Sequence, residues 1–373
     1  MFRPSLKSNW ALVILGILSI VLFYIAQTSY KHTRADYYEE KLQAAQKMNE
    51  YMKALKADYL QKGNTIDLLD DPMQTGLIGP KISTITSSRA LLSEKQTALN
   101  PNLAAIFVQL LKDAHVKEGN YVAVGLTGSN PGMNLALYAA MSVLKVKPVI
   151  MTSLSSSMFG ANDPNFTWLD MEKVLKDKGL IDFATSYASL GGKDDQATGL
   201  SETGINDLNA AIQRNGVQLI KGKDLNDNIQ IHMKGYNELL PQGKRYQLFI
   251  NIGAGLANIG SQVNARLVKE GINRKLADKN FEVPGVMMLF AKKNVPVLHE
   301  LRILRMAKTY DLQVAPEKTP QVGEGIIFGS KVHNVMIALI CLLILTAAIV
   351  TVIMFDRADR HFMSNLVDPD EEL

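Results

Sequence analysis

Two stretches of the chain carry no charge at all. Residues 10–26, WALVILGILSIVLFYIA, and residues 335–355, VMIALICLLILTAAIVTVIMF, are each long enough to cross about 30 Å of hydrocarbon as a helix. The first has a longer apolar core than a signal peptide, and the QTSY after it lacks a small-x-small cleavage pattern, which predicts an uncleaved anchor. Between the spans the pattern changes twice. Over residues 35–62, Tyr38, Leu42, Ala45, Met48, Met52, Leu55 and Tyr59 recur every three or four positions among good helix formers. That spacing predicts an amphipathic helix continuing from the first span as a stalk, and a stripe this short suits packing on its own domain better than a coiled-coil dimer. Gly63 ends it, and the glycines and prolines up to Pro80 make residues 27–80 a stalk and linker.

From Asn100 onward apolar runs alternate with amphipathic stretches. Asn100-Pro101 reads as a cap and first-turn proline opening a helix to His115. Strands are predicted at 121–126, 148–152, 182–187, 217–220, 246–252, 286–291 and 296–298. Helices are predicted from Pro131, at 168–178 with Thr167 and Asp170 as a capping box, at 204–214, toward Leu240, and over 256–277. Such alternation requires crossover connections. The expected fold is therefore α/β, a mainly parallel sheet with helices on both faces over residues 81–331, flanked by an N-terminal and a C-terminal transmembrane helix.

Charge and cysteine refine the picture. The net charge is +4, with Arg3 and Lys7 before the first span and an acidic excess over residues 356–373 after the second, so the segment between the spans carries a mild positive excess. Such an excess favours polyanionic partners. Two spans put residues 1–9 and 356–373 on one side, and a loop of about 300 residues can translocate largely regardless of its charge. Both termini are thus expected in the cytoplasm and the large domain outside it, at a bacterial inner membrane. The single cysteine, Cys341, lies inside the second span, so the large domain can form neither a disulfide nor a thiolate metal site.

The turns after three strands carry the candidate chemistry. Thr127, Gly128, Ser129 and Asn130 precede a helix opening at Pro131; Ser153, Ser155, Ser156 and Ser157 follow a second strand; Asn251, Gly253, Gly255 and Asn258 follow a third. In open parallel sheets ligands gather at this edge, and hydroxyls, amides and free N–H groups suit a carboxylate or phosphate. Tight turns and caps use the same residues without any ligand. The named motifs fail. Thr127 and Pro131 flank Ser129 where a nucleophile elbow needs glycines, no Lys follows Gly132, and Asn258 stands where a dinucleotide fingerprint needs its third glycine. His115, His232 and His299 lack metal-ligand spacing; Asp163, Asp170, Glu172, Asp194 and Asp195 could supply carboxylates for a cation or a general base, although such clusters are more often solvated loop or helix-start residues. No metal, cofactor or nucleic acid is expected, and Ser129 is the nucleophile only if the protein is an enzyme.

SLSSSMFGANDPNFTWLDME (153–172), together with GLTGSNPGMN (125–134), ASLGGKDDQATGLSETG (188–204) and INIGAGLANIG (250–260), resembles the poly-γ-glutamate system protein (PgsW-like) family over most of residues 80–320. The resemblance implies a membrane-anchored accessory subunit of a bacterial poly-γ-glutamate capsule synthesis and export system. It implies the synthase membrane subunits, membrane lipid and the carboxylate polymer as partners. An envelope hydrolase or transferase that trims or attaches the polymer is the alternative. The residues themselves supply only the anion preference.

Overall fold

The computed structural model describes residues 9–276 and 281–364. Arg3 and Lys7, the expected helix end at Ala277 and the acidic stretch beyond residue 364 lie outside the described residues. The chain forms two compact units. One is built from its two ends, up to Arg34 and from Gly329; the other is Ala35–Phe328.

The first unit opens with α1 (Asn9–Thr28) and β1 (Tyr30–Arg34). The second opens with α2 (Tyr38–Gln61), which does not run on from α1, because β1 and a left-handed residue at Tyr37 (φ 59°) intervene. Ala44, Ala45, Met48, Tyr51, Met52 and Leu55 are buried against α4 (Leu103–Asp113), α5 (Pro131–Val143) and α6 (Trp168–Asp177). The expected stalk is therefore an outer layer of the domain, since its apolar stripe gains more by covering those helices than by facing water.

Short β2 (Thr86–Ser88) and α3 (Leu92–Ala98) lead into α4. There the side chain of Asn100 accepts the Asn102 N–H at 3.0 Å, a local turn that delays the helix to Leu103 instead of letting it open at Pro101. β3 (Tyr121–Thr127) precedes α5, and β4 (Lys147–Ser153) follows it. After β5 (Ser156–Ser157) and the small hairpin of β6 (Asn162–Asp163) and β7 (Phe166–Thr167), α6 starts from the predicted capping box of Thr167 and Asp170. Next come β8 (Thr185–Ser189), α7 (Glu202–Arg214), β9 (Gln218–Ile220), α8 (Leu225–Leu239) and β10 (Tyr246–Ile252).

Beyond β10 the sequence reading fails twice. The single helix expected over 256–277 is instead α9 (Leu256–Ile259) and α10 (Gln262–Leu267), followed by β11 (Gly271–Asn273). Gly260 makes the break: its φ is 73°, and a Cβ there would stand 1.9 Å from the Val283 carbonyl. The strand expected at 286–291 is α11 (Val286–Lys292). An apolar run with no alternation fits a buried strand or a buried helix equally, and the Met, Leu and Ala after Gly285 decide for the helix. β12 (Val297–Glu300) and α12 (Ile303–Thr309) complete the domain.

Seven strands form one sheet in the order β11-β12-β10-β3-β4-β8-β9, parallel throughout except for β11 at one edge. Helices cover both faces. One core cluster gathers α2, α4, α5 and α6 over residues such as Val124, Ile150 and Ile250; the other gathers α8, α9 and α11 over Ala123, Met151 and Phe249. α5 is buried on every side because α2 lies over it. From β3 the chain builds outward through β4, β8 and β9, then returns to add β10 and β12 on the other side. The order therefore reverses between β3 and β10, and a crevice opens there at the carboxyl ends of the strands.

β13 (Gly329–His333) pairs antiparallel with β1, from Arg34↔Gly329 to Tyr30↔His333, and leads into α13 (Val335–Ser364). The spans Asn9–Thr28 and Val335–Phe355 have mean hydropathies of 2.3 and 3.0 and are long and apolar enough to cross a membrane. Trp10, Ile20, Phe23, Leu342 and Leu343 are exposed along them, an arrangement costly in water and natural in lipid.

Candidate functional site

The reversal point of the sheet carries a cleft of about 260 Å³. Register pairing places Thr127, the last residue of β3, beside Ser153, the last of β4. Side chains of paired residues share a face, so both stand on the α8 and α9 side. Thr127 and Ser153 form the floor, Ser129 and Ser155 rise from the turns that follow, and Ser87 and Ser88 close one side. Ala254 and Gly255 bring the turn after β10, and Gly192 and Lys193 bring the loop after β8. Among the described lining residues only Lys193 is charged.

Each turn is held from beneath. In the first, the Gly128 N–H donates to Ser153 O at 3.1 Å, and Gly128 O accepts from Ser156 Oγ at 3.0 Å and from the Ala161 N–H at 2.9 Å. An added Cβ at Gly128 would lie 2.5 Å from Leu154 O, so this glycine is required by a neighbour's approach. Lys95, only 4% exposed, donates to Ser129 O at 2.5 Å and Asn130 Oδ1 at 2.8 Å. Burial, only partly offset by the charge of Glu94, lowers its ammonium to about 8. It keeps a positive charge below this turn at neutral pH. Asn134 fastens the helix start to Thr127 O at 3.0 Å.

The turn after β10 is held differently. Gly253 has φ 88°, which only glycine adopts freely, and its N–H donates to Glu300 O at 3.0 Å. Asn251 donates to Gly253 O at 2.8 Å and meets His299 Nδ1 at 3.0 Å. Burial holds His299 below its ordinary value, against the contributions of the Ala265 carbonyl and Glu270. A neutral ring then accepts from Asn251 at Nδ1 and donates through Nε2 to Ala265 O at 3.3 Å.

Of the turn residues singled out in the sequence, Thr127, Ser129, Ser153, Ser155 and Gly255 line the cleft. Gly128, Asn130 and Ser156 underpin the first turn, and Asn251 and Gly253 the last. Ser129 Oγ accepts the Ser157 N–H at 3.1 Å, and no described histidine or carboxylate hydrogen-bonds it. It lacks the partner that would activate a nucleophile.

The carboxylates divide in a way the sequence does not signal. Asp195, expected to be solvated, is fully buried: Ser153 Oγ donates to it at 2.8 Å, Ser189 Oγ at 2.7 Å, and His232 Nε2 lies 3.2 Å away. Gly191, Gly192, Asp194, Asp195, Ala197 and Gly199 all take positive φ, so the loop after β8 is a tightly folded wall that Asp195 pins to the sheet. Asp170 serves the capping box and meets Arg214 at 2.6 and 2.8 Å; burial acts to raise it, but hydrogen bonds led by Arg214 keep it low. Burial pushes Glu172 up to about 7 against hydrogen bonds from Tyr138 and Thr185. Neither lines the cleft. His115, at the end of α4, is exposed, with Arg274 Nη2 3.4 Å from its Nε2. Among the described residues no group of three or more His, Cys, Asp or Glu is placed to hold a metal ion.

Several buried polar atoms in and around these turns have no hydrogen-bond partner among the described residues: Thr127 Oγ1, Asn134 Oδ1, Ser157 Oγ, Asn251 Oδ1 and Asn258 Oδ1. The Thr127 hydroxyl faces the turn after β10, where a Cβ added at Gly253 would stand 2.4 Å from it.

Comparison of the chain with protein-family models, with curated proteins and with solved structures gave no match.

Proposed function

We propose that the protein is a membrane-anchored accessory subunit that receives or guides a polyanionic chain, poly-γ-glutamate, at the outer face of a bacterial inner membrane. The cleft supports the anion half of this reading. Hydroxyls from three strand ends, backbone from two turns and Lys193 at the surface converge on one cavity, Lys95 holds the turn at Ser129 from beneath, and the carboxylate that Ser153 meets, Asp195, is buried and occupied by three partners. The polymer is supplied by the family resemblance of the segments that build the site. On this reading both termini are cytoplasmic, and the spans hold the domain beside the synthase membrane subunits.

The decisive experiment is binding of fluorescent poly-γ-glutamate by the full-length protein in nanodiscs over a salt series. Salt-sensitive binding that weakens about tenfold in Lys193→Glu is expected, and no binding at low salt overturns the reading. The alternative, a hydrolase or transferase, is favoured by one observation, the hydrogen bond from Ser153 to Asp195. It predicts polymer shortening that disappears in Ser153→Ala; unaltered polymer length excludes it.

A further inference from the structure

A second cavity, of about 220 Å³, lies beside the last residue of β12. Leu298 belongs to the core beneath α4, and Glu300, two residues on in the same strand, points to that side, the face of the sheet opposite the cleft floor. Leu110 of α4, Met306 of α12 and Tyr310 form the apolar and aromatic walls; Glu270, Glu300 and Arg305 bring the charges. The two carboxylates are unequal. Glu270 is met by Arg302 Nε at 2.8 Å and, more loosely, by Arg305 Nη1 at 3.5 Å. Glu300 is only 6% exposed, lines the cavity, and has no described donor to its carboxyl. Burial keeps it protonated up to about 8, with Glu270 acting in the same direction and Arg305 against it.

Buried carboxyls are normally hydrogen-bonded, and this one is left without a partner at the wall of an open space. The surroundings decide what would satisfy it. An anion is disfavoured, because the neighbouring charge that weighs most on Glu300 is that of Glu270, ahead of Arg305. A metal ion is disfavoured as well: two carboxylates supply too few oxygens, Glu270 is already held by two arginines, and no described group of three or more His, Cys, Asp or Glu is placed to hold one. A cation that carries its own carbon chain uses every wall. Its N–H groups go to the free carboxylate, and the chain lies against Leu110, Met306 and the ring of Tyr310.

We propose that this cavity binds a small organic ammonium ion, which donates to the Glu300 carboxylate with Glu270 as the second negative charge and packs its carbon chain on Leu110, Met306 and Tyr310. The site is separate from the cleft, so this assignment and the polyanion reading can each fail alone.

The test is titration of n-butylammonium into the full-length protein in nanodiscs of zwitterionic lipid, with empty nanodiscs, n-butanol and butyrate as controls. At about pH 8.5 Glu300 has given up its proton while an alkylammonium, like a lysine head group, keeps its charge. The ammonium is expected to bind more tightly than either control, and Glu300→Gln should weaken it about tenfold or more, the scale of a hydrogen bond to a charged group. Glutamine keeps the size of the side chain and the backbone carbonyl that holds Gly253, so the melting temperature of the variant at about pH 6 should not fall below the parent's. The butanol and butyrate arms use the parent protein alone and decide the charge preference without the variant. No binding of butylammonium, equal or tighter binding of butanol or butyrate, or an affinity unchanged in Glu300→Gln overturns the proposal.

Discussion

The turns after β3 and β10 look alike in sequence, each an apolar strand running through glycines toward a helix, and they are built on different physics. After β3, glycine is needed because other backbone crowds in: Leu154 O lies 2.5 Å from a Cβ at Gly128, and Ala98 O lies 2.4 Å from one at Gly132. The helix that follows is intact, and a buried ammonium holds the turn. After β10, glycine is needed for its dihedral angles in addition to space, at Gly253 and again at Gly260, and the helix is cut after one turn. A glycine-rich turn after a strand therefore specifies an approach to the sheet edge and leaves open what comes next. The residues four to eight positions later decide that.

The difference breaks most sharply at Gly260. Gly260→Ala meets both a disfavoured φ and the Val283 carbonyl, and should cost about 3 kcal/mol or more in chemical unfolding of the detergent-solubilised protein. Lys95→Met tests the first turn. It leaves Ser129 O and Asn130 Oδ1 without their donor, at a cost of about 2 kcal/mol, and hydrogen exchange should quicken around Ser129 while the turn at Gly253 stays protected.

Acidity separates the two turns further. Burial, reinforced by Glu270 and opposed by Arg305, pushes the Glu300 carboxyl up to about 8, and its carbonyl is the one holding Gly253. The folded protein thus keeps a proton that the unfolded chain releases near 4.5, so the contribution of Glu300 to stability is greatest below that pH, declines as pH rises toward 8 and then levels off. Glu300→Gln should flatten part of this decline by about 1 kcal/mol in melts between pH 5 and 8, with the shifted Glu172 supplying the remainder. Lys95 gives the opposite slope. Its folded-state value of about 8 lies below 10.5, so its penalty is present below pH 8 and fades toward 10.5, a rise that Lys95→Met should abolish.

The sheet and the two apolar spans were legible because alternation and uncharged length are properties of neighbouring residues. The placement of Thr127, Ser129, Ser155 and Gly255 was legible for a related reason, since strand ends in a parallel sheet share one edge. Asp195 was hidden. Its burial depends on a loop of left-handed residues folding onto Ser153, Ser189 and His232, partners dispersed from residue 153 to residue 232, and nothing beside it in sequence distinguishes it from Asp194. Lys95 was hidden likewise, a lysine in a short helix whose acceptors lie more than one element away. The helix at 286–292 was missed because a run without polar positions has no period to read.

The reversal of strand order between β3 and β10 also sets a sequence of assembly. Parallel pairing between Thr127 and Ser153 closes a modest loop of chain, whereas the turn at Gly255 joins them only after β8, β9 and α8 have been made and β10 has inserted beside β3. Contacts so distant along the chain form late and slowly. A nascent domain emerging from its amino end would therefore hold a finished half-sheet well before it held a cleft, and would be blind to its ligand until nearly the whole domain had arrived.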